Sequence, residues 1–324
     1  MADNHVFPFI IFSAFIVVLL AFDLGVLQRR THRMHMREAV IWSLGWITLA
    51  LLFNGLVYFL YRDRWLGEGF SPLGGAEAAL QFLTGYVIEL ALSVDNLFVF
   101  LVIFTYFGVP ARFQHKVLYW GILGAIVMRL TFIVSGALLI SRFEWILYIF
   151  GVILIFSGWK MMRHEDMEVH PEKNLFIRLA RKLFPVTGDF DTSRFVVRKG
   201  GRFHLTPMLL VLITVETTDV VFAVDSIPAI FAVTRDPFII FSSNIFAILG
   251  LRSLYFVLAG AMSSFHYLKT GLSLVLVFIG IKMLITDIVH VPITFSLGVV
   301  LGVLALSVIA SLLRTRRSLR REQP

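Results

Sequence analysis

The sequence contains no cysteine. Disulfide staples are therefore excluded, and so is thiolate ligation of soft metals. Charge is also scarce: Asp, Glu, Lys and Arg make up only 15% of 324 residues, against about 25% in soluble domains. What fills the space is apolar, with 58% hydrophobic residues, 14% aromatics and a mean hydropathy of +0.85. This is the composition of a polytopic membrane protein. The net charge of +8 does not point to nucleic acid, because most of the basic residues flank the apolar runs.

A membrane-spanning helix needs about 20 mostly apolar residues. Candidate spans lie near 7–27, 39–61, 79–107, 118–140, 144–162, 207–233, 238–262, 268–288 and 292–312. The N-terminus "MADNHVFPF" has no basic n-region and no small-residue cleavage site, so the first run reads as a retained span. Alternate connections are rich in Lys and Arg: "QRRTHRMHMRE", "ARFQHK", 163–206, "HYLK" and the tail "RTRRSLRRE". By the positive-inside rule the N-terminus lies outside and the C-terminus in the cytoplasm.

Acids interrupt the apolar runs. "VIELALSVDNLFVF" holds Glu89 and Asp95, and "VETTDVVFAVDSIPAI" holds Glu216, Asp219 and Asp225. Aligned on their last acids, Glu89 lies over Asp219, Asp95 over Asp225 and Asn96 over Ser226. Downstream, Arg129 in "GAIVMRLTF" matches Arg252 in "AILGLRSLYF". Phe143 and Phe265 then precede Lys160 and Lys282 by the same interval, with Gly158 and Gly280 two residues before each Lys. The expected fold is an all-α polytopic membrane protein of about nine transmembrane helices with two inverted three-helix repeats. An odd number of spans per unit inverts the second unit, an architecture of transporters with a midplane site. The organisation is two N-terminal helices (1–62), a first repeat (79–162), a cytoplasmic loop (163–206), a second repeat (207–288) and a last helix with a basic tail (289–324). In the loop, "NLFIRLARKLF" predicts a short amphipathic helix on the membrane surface, with Phe176, Ile177, Ala180, Leu183 and Phe184 on one face. "RFVVRKGGRFHLT" predicts a hairpin turning at Gly200-Gly201, and "RHEDMEVHPE" a solvated charged segment.

Buried ionisable groups in a membrane are costly and mark ion paths or relays, buried structural pairing being the alternative. In a straight helix, residues six apart differ by about 9 Å of rise and 240°. Glu89 and Asp95 therefore sit at successive stations, unless the helix unwinds between them. Glu216 and Asp219 share a face. Pro228 cannot donate to the carbonyl of Val224, leaving that oxygen free beside Asp225. Ser93, Asn96, Thr217, Thr218 and Ser226 add neutral oxygens. This all-oxygen inventory suits Mg²⁺, Ca²⁺ or Mn²⁺. The metal candidates are Glu89, Asp95, Asn96, Glu216, Asp219, Asp225 and Ser226. Ser93, Val224 and Pro228 support them, as do Arg129 and Arg252 as counter-charges. For Asp23 in the first span, site membership and structural pairing both stand. Lys160 and Lys282, near helix ends, are expected to snorkel.

"ELALSVDNLFVF", "GAIVMRL", "VETTDVVFAVDSIPAIFAVTRDPFIIFSSNIFAILGLRSLYF" and "FIGIKMLITDIVHVPI" resemble the TerC family of bacterial integral membrane proteins, and most of all its Alx branch. The resemblance implies a place in the LysE transporter superfamily, the bacterial inner membrane and a role in Mn²⁺ export. By motif match it carries the same acids, Asn96 and Ser226, as site positions. Direct passage of tellurite is disfavoured, since an oxyanion would meet carboxylates. The expected function is secondary export of a divalent cation, most of all Mn²⁺, coupled to protons, with no prosthetic group and no enzymatic activity. The alternative is an accessory protein delivering metal to secreted or membrane enzymes. An intramembrane aspartyl hydrolase is disfavoured, because its Gly-Asp pairing occurs only in the loop, in "TGDFD". Expected partners are the lipid bilayer and the cation.

Overall fold

The computed structural model describes residues 7–27, 36–67, 69–163, 174–188, 190, 194–261, 267–289 and 291–321. The chain runs α1 (Phe7–Leu27), α2 (Met36–Arg62), α3 (Gly75–Phe107), α4 (Ala111–Arg142), α5 (Ile146–Arg163), α6 (Leu175–Leu183), β1 (Val196–Lys199), β2 (Arg202–Leu205), α7 (Pro207–Phe231), α8 (Pro237–Leu249), α9 (Leu251–Ala261), α10 (Leu268–Leu284) and α11 (Ile293–Arg321). Among the described residues six helices are long and apolar enough to cross a membrane, or seven if α8 and α9, bent by 43° at Gly250, form one span. The nine expected spans shrink on this measure because α10 has only 17 residues and α1 counts as a shorter apolar helix over Phe7–Ala21. Phe265 and the charged segment with His164, Glu165, Asp166, Glu168 and His170 lie outside the described residues.

Local chemistry sets the boundaries. α3 stops at Gly108, whose φ of 61° is the left-handed conformation that glycine adopts without penalty, and its N–H bonds back to the last turn. At α8, Asp236 caps the helix by accepting from the N–H groups of Phe238 and Ile239 at 3.0 and 3.2 Å, with Pro237 in the first turn. The same carboxylate accepts from the Tyr61 hydroxyl at 2.9 Å, which ties α2 to the start of α8.

α3 is central, with far more of its apolar length buried than the other five long spanning helices. α8 is enclosed on all sides, every residue from Phe238 to Leu249 being buried. By contrast α2, α4, α5 and α11 expose Leu52, Val127, Phe156 and Leu306, which suits a lipid-facing shell. The helices of the two sequence units interleave: α3 packs on α8, and α4 on α7. α5 and α10 approach backbone to backbone. A Cβ placed on Gly280 would lie 2.7 Å from the Gly151 carbonyl oxygen, and one on Gly158 would lie 2.7 Å from that of Ser273. Such small-residue contacts let helices associate where lipid removes the hydrophobic drive. Since 151 faces 280 and 158 faces 273, the two helices run antiparallel.

β1 and β2 pair antiparallel, Val196 with Leu205 through Lys199 with Arg202, around Gly200 and Gly201 at φ 56° and 80°. Two successive positive φ values are those of the tight hairpin turn expected there. α6 forms where the amphipathic helix was expected. Only Ile177 is fully buried, while Phe176, Leu183 and Phe184 are exposed alongside Leu175 and Leu179. Its N-cap Asn174 donates to Thr217 Oγ1 at 2.6 Å, and the Pro185 carbonyl, just past its end, accepts from the N–H of Leu205 at the end of β2, just before α7. α6 therefore lies along the first turns of α7 in the reverse direction, and Ile177 fills the seam.

The connections after α2, α4, α7 and α10 converge on one cavity, contributing Ser71, Glu144, Thr234 and Asp287 among others. Exposed Trp65 and Trp145 stand at the same end, as tryptophans do at a membrane interface. Between any two of these connections the chain must leave that end and return. Fusion reporters after Gly67 and Asp236 are thus expected to sit on one side, and reporters after Glu168 and Ser318 on the other. Alkaline phosphatase and fluorescent-protein fusions read this directly, and Gly67 and Glu168 on the same side would contradict it.

Candidate functional site

The intramembrane acids fall into two clusters. The first is built on Arg129 of α4, which is 2% exposed. Its guanidinium forms an ion pair with Glu89 of α3, and its Nη2 lies 3.6 Å from Asp219 Oδ1 of α7. Nη1 also donates to Asn244 Oδ1 of α8 at 3.1 Å. Asn244 returns the contact by donating Nδ2 to Glu89 Oε2 at 3.2 Å, and Ser93 Oγ, one turn along α3, donates to Glu89 Oε1 at 3.3 Å. Four helices thus meet on one guanidinium. Arg129 Nε and Asp219 Oδ2 are buried without a hydrogen-bond partner among the described residues, so the cluster keeps unused polar capacity.

The second cluster lies along the same helices. Asp95 is buried on α3, within electrostatic reach of Asp225 on α7 and of Lys269 on α10. Asp225 is half-buried and accepts from Ser157 Oγ of α5 at 2.5 Å, with Lys160 of α5 also within reach. Asn96 and Ser226 are buried next to their respective acids, and Ser226 Oγ has no hydrogen-bond partner among the described residues. Glu216, half-buried, sits within reach of Asp219 and presses its carboxylate against Gly124 of α4, where any Cβ would collide with it.

Neither acid motif is unwound. α3 is continuous from Gly75 to Phe107, and α7 from Pro207 to Phe231 with Pro228 inside it. The unwinding option therefore falls away, because the helix ladder survives around a single missing N–H, and Glu89 and Asp95 stand at separate stations. Val224, whose carbonyl Pro228 leaves without a helix donor, turns its side chain outward, 53% exposed. Arg252 is buried on α9, within electrostatic reach of His115 on α4. The side chain of Asp23 lies outside the described residues. Among the described residues no three or more His, Asp or Glu side chains converge as a ready-made metal cage; the expected ligands are spread over the two clusters. Lys160 and Lys269 accompany the second acid pair, whereas snorkelling alone was expected of Lys160.

Sequence reasoning missed Asn244 and Ser157. Asn244 was visible as the amide in "FSSNIFAIL", a polar run inside an apolar span, but nothing local assigned it to Arg129. Ser157 carried no such signal, since a lone serine in a span usually bonds its own helix backbone.

With the geometry in place, comparison with known proteins is informative. A family model described as "Integral membrane protein TerC family" matches residues 74–319. The chain belongs to the TerC family. It is 52% identical over 300 residues to a "Putative membrane-bound redox modulator Alx" of Escherichia coli K12, covering 92% of each chain. It is also 48% identical to an uncharacterized membrane protein of Myxococcus xanthus, over 95% of this chain and 92% of that one. An uncharacterized membrane protein of Rickettsia felis is 40% identical over 94% of this chain and 97% of its own. No solved structure matches. The TerC model spans both clusters, so both are part of the family region of this integral membrane protein.

The Arg129 cluster yields a stability prediction. Arg129→Ala leaves Glu89 and Asp219 buried without their cation, a loss of about 3–5 kcal/mol. Asn244→Ala removes two hydrogen bonds to charged groups and costs about 1–3 kcal/mol. Thermal unfolding of purified protein in detergent checks both, with the larger fall for Arg129→Ala. An unchanged melt for that variant would mean that the guanidinium is solvated.

Proposed function

We propose that this TerC protein is a secondary transporter exporting divalent metal ions across the bacterial inner membrane, with Mn²⁺ as cargo and protons as the coupling ion. The observation that carries this reading is the Asp95–Asp225 pair: two carboxylates from different helices, within reach of each other in an apolar interior, while Arg129 holds Glu89 and Asp219. Two like charges brought together in low dielectric are unfavourable unless a cation joins them or one is protonated. That dual requirement is the chemistry of an ion–proton exchanger. Ser157, Asn96 and Ser226 supply hard neutral oxygens nearby, a donor set open to Mg²⁺, Ca²⁺ and Mn²⁺. The choice of Mn²⁺, and the place in the LysE superfamily, rest on the resemblance to the Alx branch.

Inverted repeats of three crossings belong to the same proposal: α3, α4 and α5 against α7, α8–α9 and α10. The spacing that aligns Lys160 with Lys282 also aligns Gly151 with Ser273 and Gly158 with Gly280. The two α5–α10 contacts, 151 with 280 and 158 with 273, therefore exchange under the repeat, as a two-fold axis between the units requires. Interleaved packing of α3 on α8 and α4 on α7 supports the same relation. With α8–α9 as one crossing, and α1 and α10 as crossings, the count returns to nine, N-terminus outside and C-terminus in the cytoplasm. The cavity end is then the outer face.

The printed name of the Escherichia coli relative speaks of redox modulation. This chain has no cysteine, hence no thiol to oxidise, and an effect on redox state would follow from the ion moved.

Asp95→Asn and Asp225→Asn each keep size and one carbonyl oxygen but remove the charge a divalent ion needs. Each is expected to abolish Mn²⁺ flux in proteoliposomes while the protein still reaches the membrane, and the double variant to be little worse, because groups acting as one unit are non-additive. Normal flux through Asp95→Asn would sink the paired site. Wild-type protein that moves no ion unaided would instead favour an accessory, metal-delivering role.

A further inference from the structure

We propose that the cavity between the outer ends of α3, α5, α7 and α10 is the vestibule through which a hydrated divalent cation leaves, closed from the acid pair by a dry layer of Ile88, Ile230 and Phe231. The inference rests on the transport reading and adds to it a route and a barrier. The cavity measures about 630 Å³. At about 30 Å³ per water that is room for on the order of 20 waters, several times what a cation with its first hydration shell occupies. Its walls come from the helices that carry Asp95, Ser157, Asp225 and Lys269. Gln81 lies two turns before Glu89 on α3, and Phe231 six residues beyond Asp225 on α7.

The rim suits a cation. Glu144 and Asp287 line it against a single guanidinium, Arg235; the third acid, Asp236, is engaged in capping α8 and holding Tyr61. The pairs across the rim are weak or exposed. Arg235 Nη1 stands 3.5 Å from Glu144 Oε1, with both side chains mostly in solvent, and the Tyr148 hydroxyl donates to Asp287 at an exposed position. Exposed contacts of this kind are weak, being screened by water, and yield readily to a passing ion.

The floor is different. Phe231 is buried, its ring set in a recess that exists because residue 136 is glycine: a Cβ there would lie 2.8 Å from the ring. Ile230 is 1% and Ile88 2% exposed, and Ile230 packs where Gly85 has no side chain. From Phe231 to Asp225 is about 9 Å of helix rise, and from Gln81 to Asp95 about 21 Å. The three side chains of this layer offer a cation no oxygen, and desolvation among them is costly. The structure is thus shut on this side, and release requires α7 to move Phe231 out of the Gly136 recess.

Because the chain has no cysteine, any introduced thiol is unique. Ala232→Cys at the floor, Thr286→Cys at the rim and Ile230→Cys within the dry layer are treated from outside intact cells with a membrane-impermeant cationic methanethiosulfonate. Ala232→Cys and Thr286→Cys are expected to react. Excess external Mn²⁺ should slow the reaction at Ala232→Cys several-fold, and modification should cut Mn²⁺ efflux several-fold. Ile230→Cys should stay inert in resting protein. If Ala232→Cys fails to accumulate, exposed Thr286→Cys carries the same readouts. Reaction at Ile230→Cys as fast as at the floor would remove the barrier, and unchanged efflux after modification would take the cavity off the path. Should the parent chain move no ion, the transport reading fails by itself. Mn²⁺ protection of Ala232→Cys then decides the vestibule, and its absence would overturn it.

Discussion

A guanidinium cannot be buried alone, and the architecture is organised around that constraint. Arg129 reaches the interior only because Glu89, Asp219 and Asn244 meet it there. These partners come from α3, α7 and α8, so satisfying one charge fixes the relative placement of four helices. Removing any member leaves a charge or amide without a partner in low dielectric, where the penalty is largest. Such a cluster contributes more to specificity of packing than to net stability, since apolar replacement of a whole buried ion pair is often neutral.

The same constraint divides the acids by task. Glu89 and Asp219 are bound to Arg129, whereas Asp95 and Asp225 have hydroxyl, amide and more distant ammonium neighbours. A cation competing for the first pair would have to displace a buried guanidinium. Asp95 and Asp225 lie within electrostatic reach of each other, outside that ion pair.

Glycine placement makes this arrangement compact. Gly151, Gly158 and Gly280 bring α5 and α10 to backbone contact; Gly124 admits the carboxylate of Glu216 and Gly136 the ring of Phe231. In lipid, where exposed apolar surface carries no penalty, such close fits supply much of what holds helices together.

Composition alone determined the class of this protein, because a chain with so little charge and so many apolar runs has no soluble solution. Pattern alone located the acids, the buried arginines and the internal repeat, since a charge inside an apolar span is conspicuous wherever it lies. Of the nine expected spans, six meet the test of length and hydropathy among the described residues, or seven with α8–α9 as one, because α10 is short and α8–α9 bends at Gly250. Pattern placed the amphipathic α6 but not its seat along α7, which Asn174 fixes through Thr217. Which acids take the arginine, and the roles of Asn244 and Ser157, were decided only by tertiary structure. Each depends on side chains far apart in sequence, brought together by helices whose order along the chain does not state which will be neighbours.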